Sequence, residues 1–127
     1  MQLCSQAAIK LHTVGTNQTN LKHYSCVSGQ NHFAISTHDG DNNANVEFPT
    51  LRGPSDICSD DYVYVSGQCS HDIHRLMEDE NMIDIPLSSQ HGITYPVAMC
   101  FNRNFTKLYI VNEWGKSVMM FNVISCL

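Results

Sequence analysis

The sequence predicts an all-β fold assembled from repeated units of short antiparallel strands, and three observations carry that reading. Helical periodicity is nearly absent along the 127 residues. Short runs of β-branched, aromatic and apolar residues alternate instead with turns rich in Pro, Gly, Asn, Asp and Ser. The chain also repeats itself. Arg52 to Leu76 lies over Thr94 to Phe121, with Pro54 and Pro96 42 residues apart and the strands ending in Val65 and Val111 46 apart. A repeat of about 40–50 residues holding several short strands marks the blades of a β-propeller, whose four-stranded sheets stand radially around a channel. The predicted fold class is therefore a partial, open β-propeller of about three blades, built from four-stranded antiparallel sheets.

The elements follow in order. Ala7 to His12 alternates well enough to be the outer strand of a blade that begins elsewhere. A weaker copy of the unit comes next: Tyr24 to Val27 as first strand, Phe33 to Ser36 as second, and Asn45 to Phe48 as third after the turn His38 to Asn42. Its offset from the next copy is only 30 residues, Ile35 to Val65, so its outer strand is expected to be very short or missing. The middle copy has Pro54 to Cys58, Tyr62 to Ser66, Ile73 to Met77 and a fourth strand, Asn81 to Ile85. The last has Pro96 to Cys100, Leu108 to Val111 and Val118 to Val123. Proline opens two of these strands, where its missing N–H matters least. The approximate blades are 1–48, 49–90 and 91–127.

Composition narrows the function. At 43% hydrophobic and 15% charged residues the chain is not of the disordered class. Seven Lys and Arg against twelve Asp and Glu give a net charge of −5, which argues against a bulk electrostatic grip on nucleic acid. The longest apolar runs, such as Val97 to Phe101, fall far short of the roughly 20 residues that span a bilayer. Met1 to Val14 lacks the basic start and continuous apolar core of a secretory signal. The six cysteines (4, 26, 58, 69, 100 and 126) show no C-x-x-C pair, and three lie in apolar alternating segments. The expectation is reduced thiols in a cytoplasmic protein. The sequons at Asn17 and Asn104 carry little weight in that setting.

At Tyr95-Pro96-Val97-Ala98-Met99, Lys107 to Asn112 and Val118 to Phe121 the sequence resembles the NHL-repeat β-propellers, and from about Leu21 to Val123 it looks like the C-terminal part of an invertebrate tripartite-motif protein. The family's usual Asp after the second strand is replaced by Ser36, Ser66 and Asn112. The resemblance implies a RING finger, B-boxes and a coiled coil ahead of the propeller, with the RING supplying ubiquitin-ligase activity. This chain has no Cys/His array of zinc-finger spacing, so it is not expected to be the catalytic part.

Three motifs invite sharper chemistry. Cys69, His71 and His74 are metal-ligating types within six residues, but the spacing of three puts the two histidines on opposite faces of a strand. Asp39-Gly40-Asp41-Asn42-Asn43 starts like a calcium loop, yet Ala44 and Thr50 stand where it needs Gly and a carboxylate. Glu78-Asp79-Glu80 reads as a solvated turn or a patch for a basic partner. No G-x-S-x-G is present, and Gly115-Lys116-Ser117 lacks the rest of a phosphate loop. No cofactor, metal or catalytic residue is predicted.

The expected function is that of a non-catalytic interaction module. In propellers, the turns between second and third strands share one rim with the connections from one blade's outer strand to the next blade's inner strand. Rigidly held rim loops are where binding residues concentrate. On this register the rim holds His38, Asp39, Arg52, Gln68, His71, Tyr95, Glu113, Trp114 and Lys116. Trp114, the single tryptophan, lies in a turn and either serves a partner or packs on its own blade. The partner is expected to be a protein or ubiquitination substrate. Single-stranded RNA is the alternative, read by stacking on rim aromatics but disfavoured by charge, and an enzymatic or secreted propeller is a further one. An open arc leaves unpaired edges and uncovered blade faces, so self-association is expected too.

Overall fold

Ten strands follow one another through the described residues, which are 22–26, 29–37, 43–77 and 81–123 of the computed structural model. They are β1 (Lys22–Cys26), β2 (Phe33–Thr37), β3 (Asn43–Val46), β4 (Pro54–Ser59), β5 (Val63–Gly67), β6 (Asp72–Leu76), β7 (Met82–Leu87), β8 (Ala98–Phe101), β9 (Lys107–Asn112) and β10 (Ser117–Asn122). Two single 3-10 turns, Ser89–His91 and Glu113–Gly115, are the only helical elements among the described residues. All pairings are antiparallel between chain neighbours, giving sheets β1-β2-β3, β4-β5-β6-β7 and β8-β9-β10. The chain forms a partial, open β-propeller of three sheets. Four strands occur in the middle sheet, and the flanking sheets show three each among the described residues.

Strand β4 lies beside β1 on one side and beside β8 on the other, so the sheets stand side by side. Strand composition follows from this placement. Val63, Tyr64, Val65, Ser66 and Gly67 of β5 are all buried, because neighbouring sheets cover both of its faces. One apolar cluster fills the first seam, with Tyr24, Phe33, Ile35, Ile57, Val63 and Val65. A second fills the next, with Tyr64, Ile73, Ile93, Met99, Leu108 and Ile110. Burying one such side chain contributes about 1.5–3 kcal/mol. Polar bonds also cross the second seam: Asp56 Oδ2 accepts from the Met99 amide at 2.9 Å, and Ser55 Oγ donates to the Pro96 carbonyl at 2.9 Å. Pro86 sits in β7, the edge of the middle sheet, where a missing donor is tolerated.

Strand direction corrects the register expected for the first copy. The β1–β2 turn meets the connection into β4, where the Gly53 amide donates to Asn31 Oδ1 at 3.0 Å. That connection in turn meets the β5–β6 turn, with Gln68 N donating to Gly53 O and Cys69 N to Arg52 O. Thus β1, β2 and β3 run in the directions of β5, β6 and β7. They take the places of second, third and fourth strands, not first, second and third. A sequence match supports this: Val27-Ser28-Gly29-Gln30 recurs as Val65-Ser66-Gly67-Gln68, 38 residues on, in place of the offset of 30. The third strand also lies at Asn43–Val46, not at Asn45 to Phe48. The strand expected at Ala7 to His12, the acidic run Glu78 to Glu80 and most of the loop from Asp39 lie outside the described residues.

Candidate functional site

The rim at the start of β4 and β8 is assembled from three segments: the β5–β6 turn, the β7–β8 connection and the β9–β10 turn. Each is fixed by its own backbone bonds. His71 N donates to Gly67 O at 2.9 Å and closes the first turn. Glu113 N donates to Thr94 O at 2.7 Å, and Trp114 N to Tyr95 O at 3.1 Å, so the last turn is bonded along the connection. Asn112 strengthens the joint from inside: its Nδ2 donates to Gly92 O and its Oδ1 accepts from Thr94 N, both at 2.9 Å.

These bonds bring three expected rim residues together. The Tyr95 ring stacks on Trp114, with centroids 4.6 Å apart and 24° between planes. His71 meets the tyrosine edge-on, 4.5 Å away at 89°. His71 Nδ1 accepts from the Tyr95 amide at 3.0 Å, which makes this nitrogen the unprotonated one. The stack joins the middle sheet, the connection and the third sheet. Trp114 stays 57% exposed and Tyr95 36%, so the indole rests against Tyr95 while more than half of it faces solvent.

The backbone here is held in an uncommon conformation. His71, Tyr95, Glu113 and Trp114 all have positive φ, between 43° and 59°. Non-glycine residues visit this region rarely and at a cost, and they persist there when surrounding bonds over-determine them. Of the other expected rim residues, Arg52 and Lys116 are exposed. The Arg52 amide donates to Ser70 Oγ at 3.0 Å, and Glu113 Oε1 accepts from Ser117 Oγ at 3.1 Å. Gln68 is partly buried and contributes its backbone to the turn. His38 and Asp39 lie outside the described residues, and the first sheet meets this rim through Gly29 to Asn31.

A polar chain beneath the rim had no sequence signature. His74 is fully buried on β6, and its Nε2 meets Thr50 Oγ1 at 2.9 Å. Asp72 Oδ1 stands 3.3 Å from His74 Nδ1, off hydrogen-bond alignment, and accepts from Ser70 Oγ at 2.7 Å. Asp72 and His74 are two apart on one strand and so share a face. The chain Thr50–His74–Asp72–Ser70 ties the β3–β4 connection to the β5–β6 turn. His71 and His74 therefore serve different neighbours, and among the described residues no three His, Cys, Asp or Glu side chains converge as metal ligands.

A cleft of about 230 Å³ opens between the middle and third sheets, lined by Tyr64, Arg75, Leu87, Phe101 and Phe121 among others. None of the expected site residues lines it. Arg75 is occupied by a two-pronged bond to Asp84, with Nε to Oδ1 at 2.8 Å, which holds its guanidinium above its ordinary pKa. Burial first and the Asp60 carboxylate second push the Tyr64 hydroxyl up. Burial likewise raises the Cys58 thiol, with Asp56 adding to it.

No family model matches this chain, and no curated protein matches it by sequence. Solved structures do. A catalytically inactive virginiamycin B lyase from Staphylococcus aureus with quinupristin is 13% identical, at a TM-score of 0.55, covering 83% of this chain and 39% of that one. The selenomethionine-substituted lyase from the same organism is 18% identical, at a TM-score of 0.54, covering 84% of this chain and 39% of that one. The chain thus spans 39% of the length of the structures it matches. At these identities the likeness establishes the fold: this chain is built as part of a β-propeller.

Proposed function

We propose that this chain is a non-catalytic interaction module whose rim binds a protein partner, with Trp114 and Tyr95 as the contact centre. The observation that carries the reading is the convergence of His71, Tyr95 and Trp114, from two sheets and a connection, into one half-exposed aromatic stack. Tryptophan and tyrosine on a rigid support dominate binding energy at protein interfaces. They are more than half and about one-third exposed here, where burial within the blade would have been the structural use of such rings. The resemblance to NHL repeats extends this proposal to substrate selection for a cytoplasmic tripartite-motif ligase, whose catalytic part lies on other segments.

Photo-crosslinking tests it. A photoreactive residue is placed at 114, and at 105 as a control, since Phe105 is also about half exposed, on the β8–β9 turn at the opposite rim. The proposal expects a discrete protein adduct from position 114 that is absent from position 105 and lost with Tyr95→Ala. Equal labelling from both positions contradicts it. Single-stranded RNA is the second reading, favoured by the same stack. Its outcome would be oligonucleotide binding that weakens steeply with salt and vanishes with Trp114→Ala.

A further inference from the structure

We propose that His71 is a proton-operated latch on the rim, which holds the Tyr95–Trp114 stack while neutral and releases it when protonated. The proposal rests on the reading of that stack as the contact centre, and it adds how the contact is regulated. Three observations meet at His71. Its Nδ1 accepts from the Tyr95 amide at 3.0 Å. Its ring stands edge-on to the Tyr95 ring, with centroids 4.5 Å apart. The Tyr95 ring in turn stacks on Trp114, whose amide donates to Tyr95 O at 3.1 Å. Tyr95 is thus gripped at its amide by the β5–β6 turn and at its carbonyl by the β9–β10 turn.

Only a neutral imidazole can make the first grip. An unprotonated ring nitrogen accepts, whereas an imidazolium carries a proton on both nitrogens and accepts nothing. Protonated His71 would set two donors against each other across 3.0 Å. Turning the ring over offers no remedy, because the other nitrogen is a donor as well. The ring must leave the Tyr95 amide, and its edge contact leaves with it. Tyr95 has a φ of 43°, a conformation that a non-glycine residue keeps only where its bonds over-determine it. With one of these two backbone bonds gone, Tyr95 relaxes and Trp114 loses the ring it rests on.

The charged and titratable groups around His71 do not offset this loss. On its own turn, Cys69 is exposed, and Asp72 accepts from Ser70 Oγ and stands beside His74. On the connection into β4, Arg52 is exposed and brings a positive charge. On the β9–β10 turn, Glu113 accepts from Ser117 Oγ and Lys116 faces solvent. No carboxylate pairs with His71 among the described residues. The imidazolium therefore gains no ion pair in exchange for the acceptor it gives up. Histidine is the side chain whose charge ordinarily changes between about pH 5 and pH 8, so the latch opens as the medium turns acid.

The test follows the emission of Trp114, the single tryptophan, in the full chain as pH is lowered from about 8 to about 5. The expected result is a reversible red shift, with unchanged far-ultraviolet circular dichroism. His71→Asn should abolish the shift and keep the emission of the alkaline end. Asn Oδ1 takes the place of Nδ1, accepts at every pH in this range, and is tolerated at the φ of 57° found here. His91→Asn is the control, because His91 Nδ1 also accepts from a backbone amide, that of Ser88 at 3.2 Å, but in a different turn. It should leave the shift in place. Hydrogen exchange in the unaltered chain gives a second readout: the Tyr95 amide should lose about tenfold of its protection as nitrogen resonances show His71 Nδ1 gaining a proton. Emission indifferent to pH overturns the proposal. So does a shift that His71→Asn leaves unchanged, or a Tyr95 amide that stays protected beside a protonated His71. Both readouts use the chain alone, so their failure removes the latch and leaves the partner contact to the crosslink from position 114.

Discussion

The middle and third sheets solve one problem in two ways. Both must tie the connection that enters their first strand to the strands beside it. In the third sheet a single side chain does this from the end of β9, where Asn112 holds the backbone of Gly92 and Thr94. In the middle sheet the strand pairing puts Gly67 at the equivalent position, one residue beyond the Ser66 that the sequence alignment matched to Asn112, and it has no side chain to offer. A Cβ there would stand 2.1 Å from Ser70 Oγ and 2.5 Å from Asp72 Oδ1. That space is filled from the turn instead. Ser70 accepts from the Arg52 amide, Asp72 accepts from Ser70, and His74 reaches Thr50. The polar groups of the middle turn are thus occupied in holding the blade together. The third turn, secured by Asn112 and its backbone bonds, leaves Glu113, Trp114 and Lys116 facing solvent. One scaffold position can be structural in one repeat and free for recognition in the next.

This contrast is open to a graded set of tests. His74→Ala should have the largest effect, since it empties a fully buried site and removes the partner of Thr50 Oγ1. About 3 kcal/mol of unfolding free energy should be lost in a urea titration. Gly67→Ala should cost about 2 kcal/mol by driving a methyl into Ser70 and Asp72. Asn112→Ala should cost about 1 kcal/mol, because the part-buried bonds to the Thr94 N–H and the Gly92 C=O are lost together. In the same variant the Trp114 emission should shift, as the turn loosens. Trp114→Ala should be the mildest, at no more than about 1 kcal/mol from the lost stack on Tyr95, while abolishing binding of the protein partner at the rim. If Trp114→Ala unfolds the protein instead, the division between a structural turn and a presenting turn is wrong.

Alkaline pH probes the seam between the two sheets. Tyr64 is pushed above its ordinary value of 10.0, so below pH 10 both folded and unfolded states keep its proton and it adds no pH dependence. Above pH 10 the unfolded chain ionises while the folded chain does not, so stability falls as pH rises. Cys58 begins the same loss near its ordinary 9.0. Tyr64→Phe should flatten the decline above pH 10, read as the slope of the melting temperature against pH.

Much of this was legible in the residues. Alternating apolar runs such as Val63 to Val65 and Leu108 to Ile110 marked strands, because the pleat sends neighbours to opposite faces. Turn chemistry then put Gln68, His71, Tyr95 and Trp114 at one rim. The first copy misled for a physical reason: Tyr24 to Cys26 and Phe33 to Ile35 fit any strand position equally well, since alternation reports a face and not a place in the sheet. Only Val27 to Gln30, matched to Val65 to Gln68, carries the place. The Thr50–His74–Asp72–Ser70 chain was not legible, because its members are joined across a turn and a connection by burial that no local pattern announces. The tyrosine between His71 and Trp114 was expected on the rim, but its stacking depends on side-chain geometry set by the bonds from Glu113 and Trp114 to Thr94 and Tyr95.

The central claim, that two neighbouring propeller sheets meet at a rim presenting one continuous aromatic stack, is tested most directly by nuclear Overhauser contacts in the folded chain. Cross-peaks from the His71 ring to Tyr95 and from Tyr95 to the Trp114 indole, together with one linking the Met99 amide to β4, are the predicted result. An indole that instead contacts Leu108 or Ile110 in the seam would contradict it.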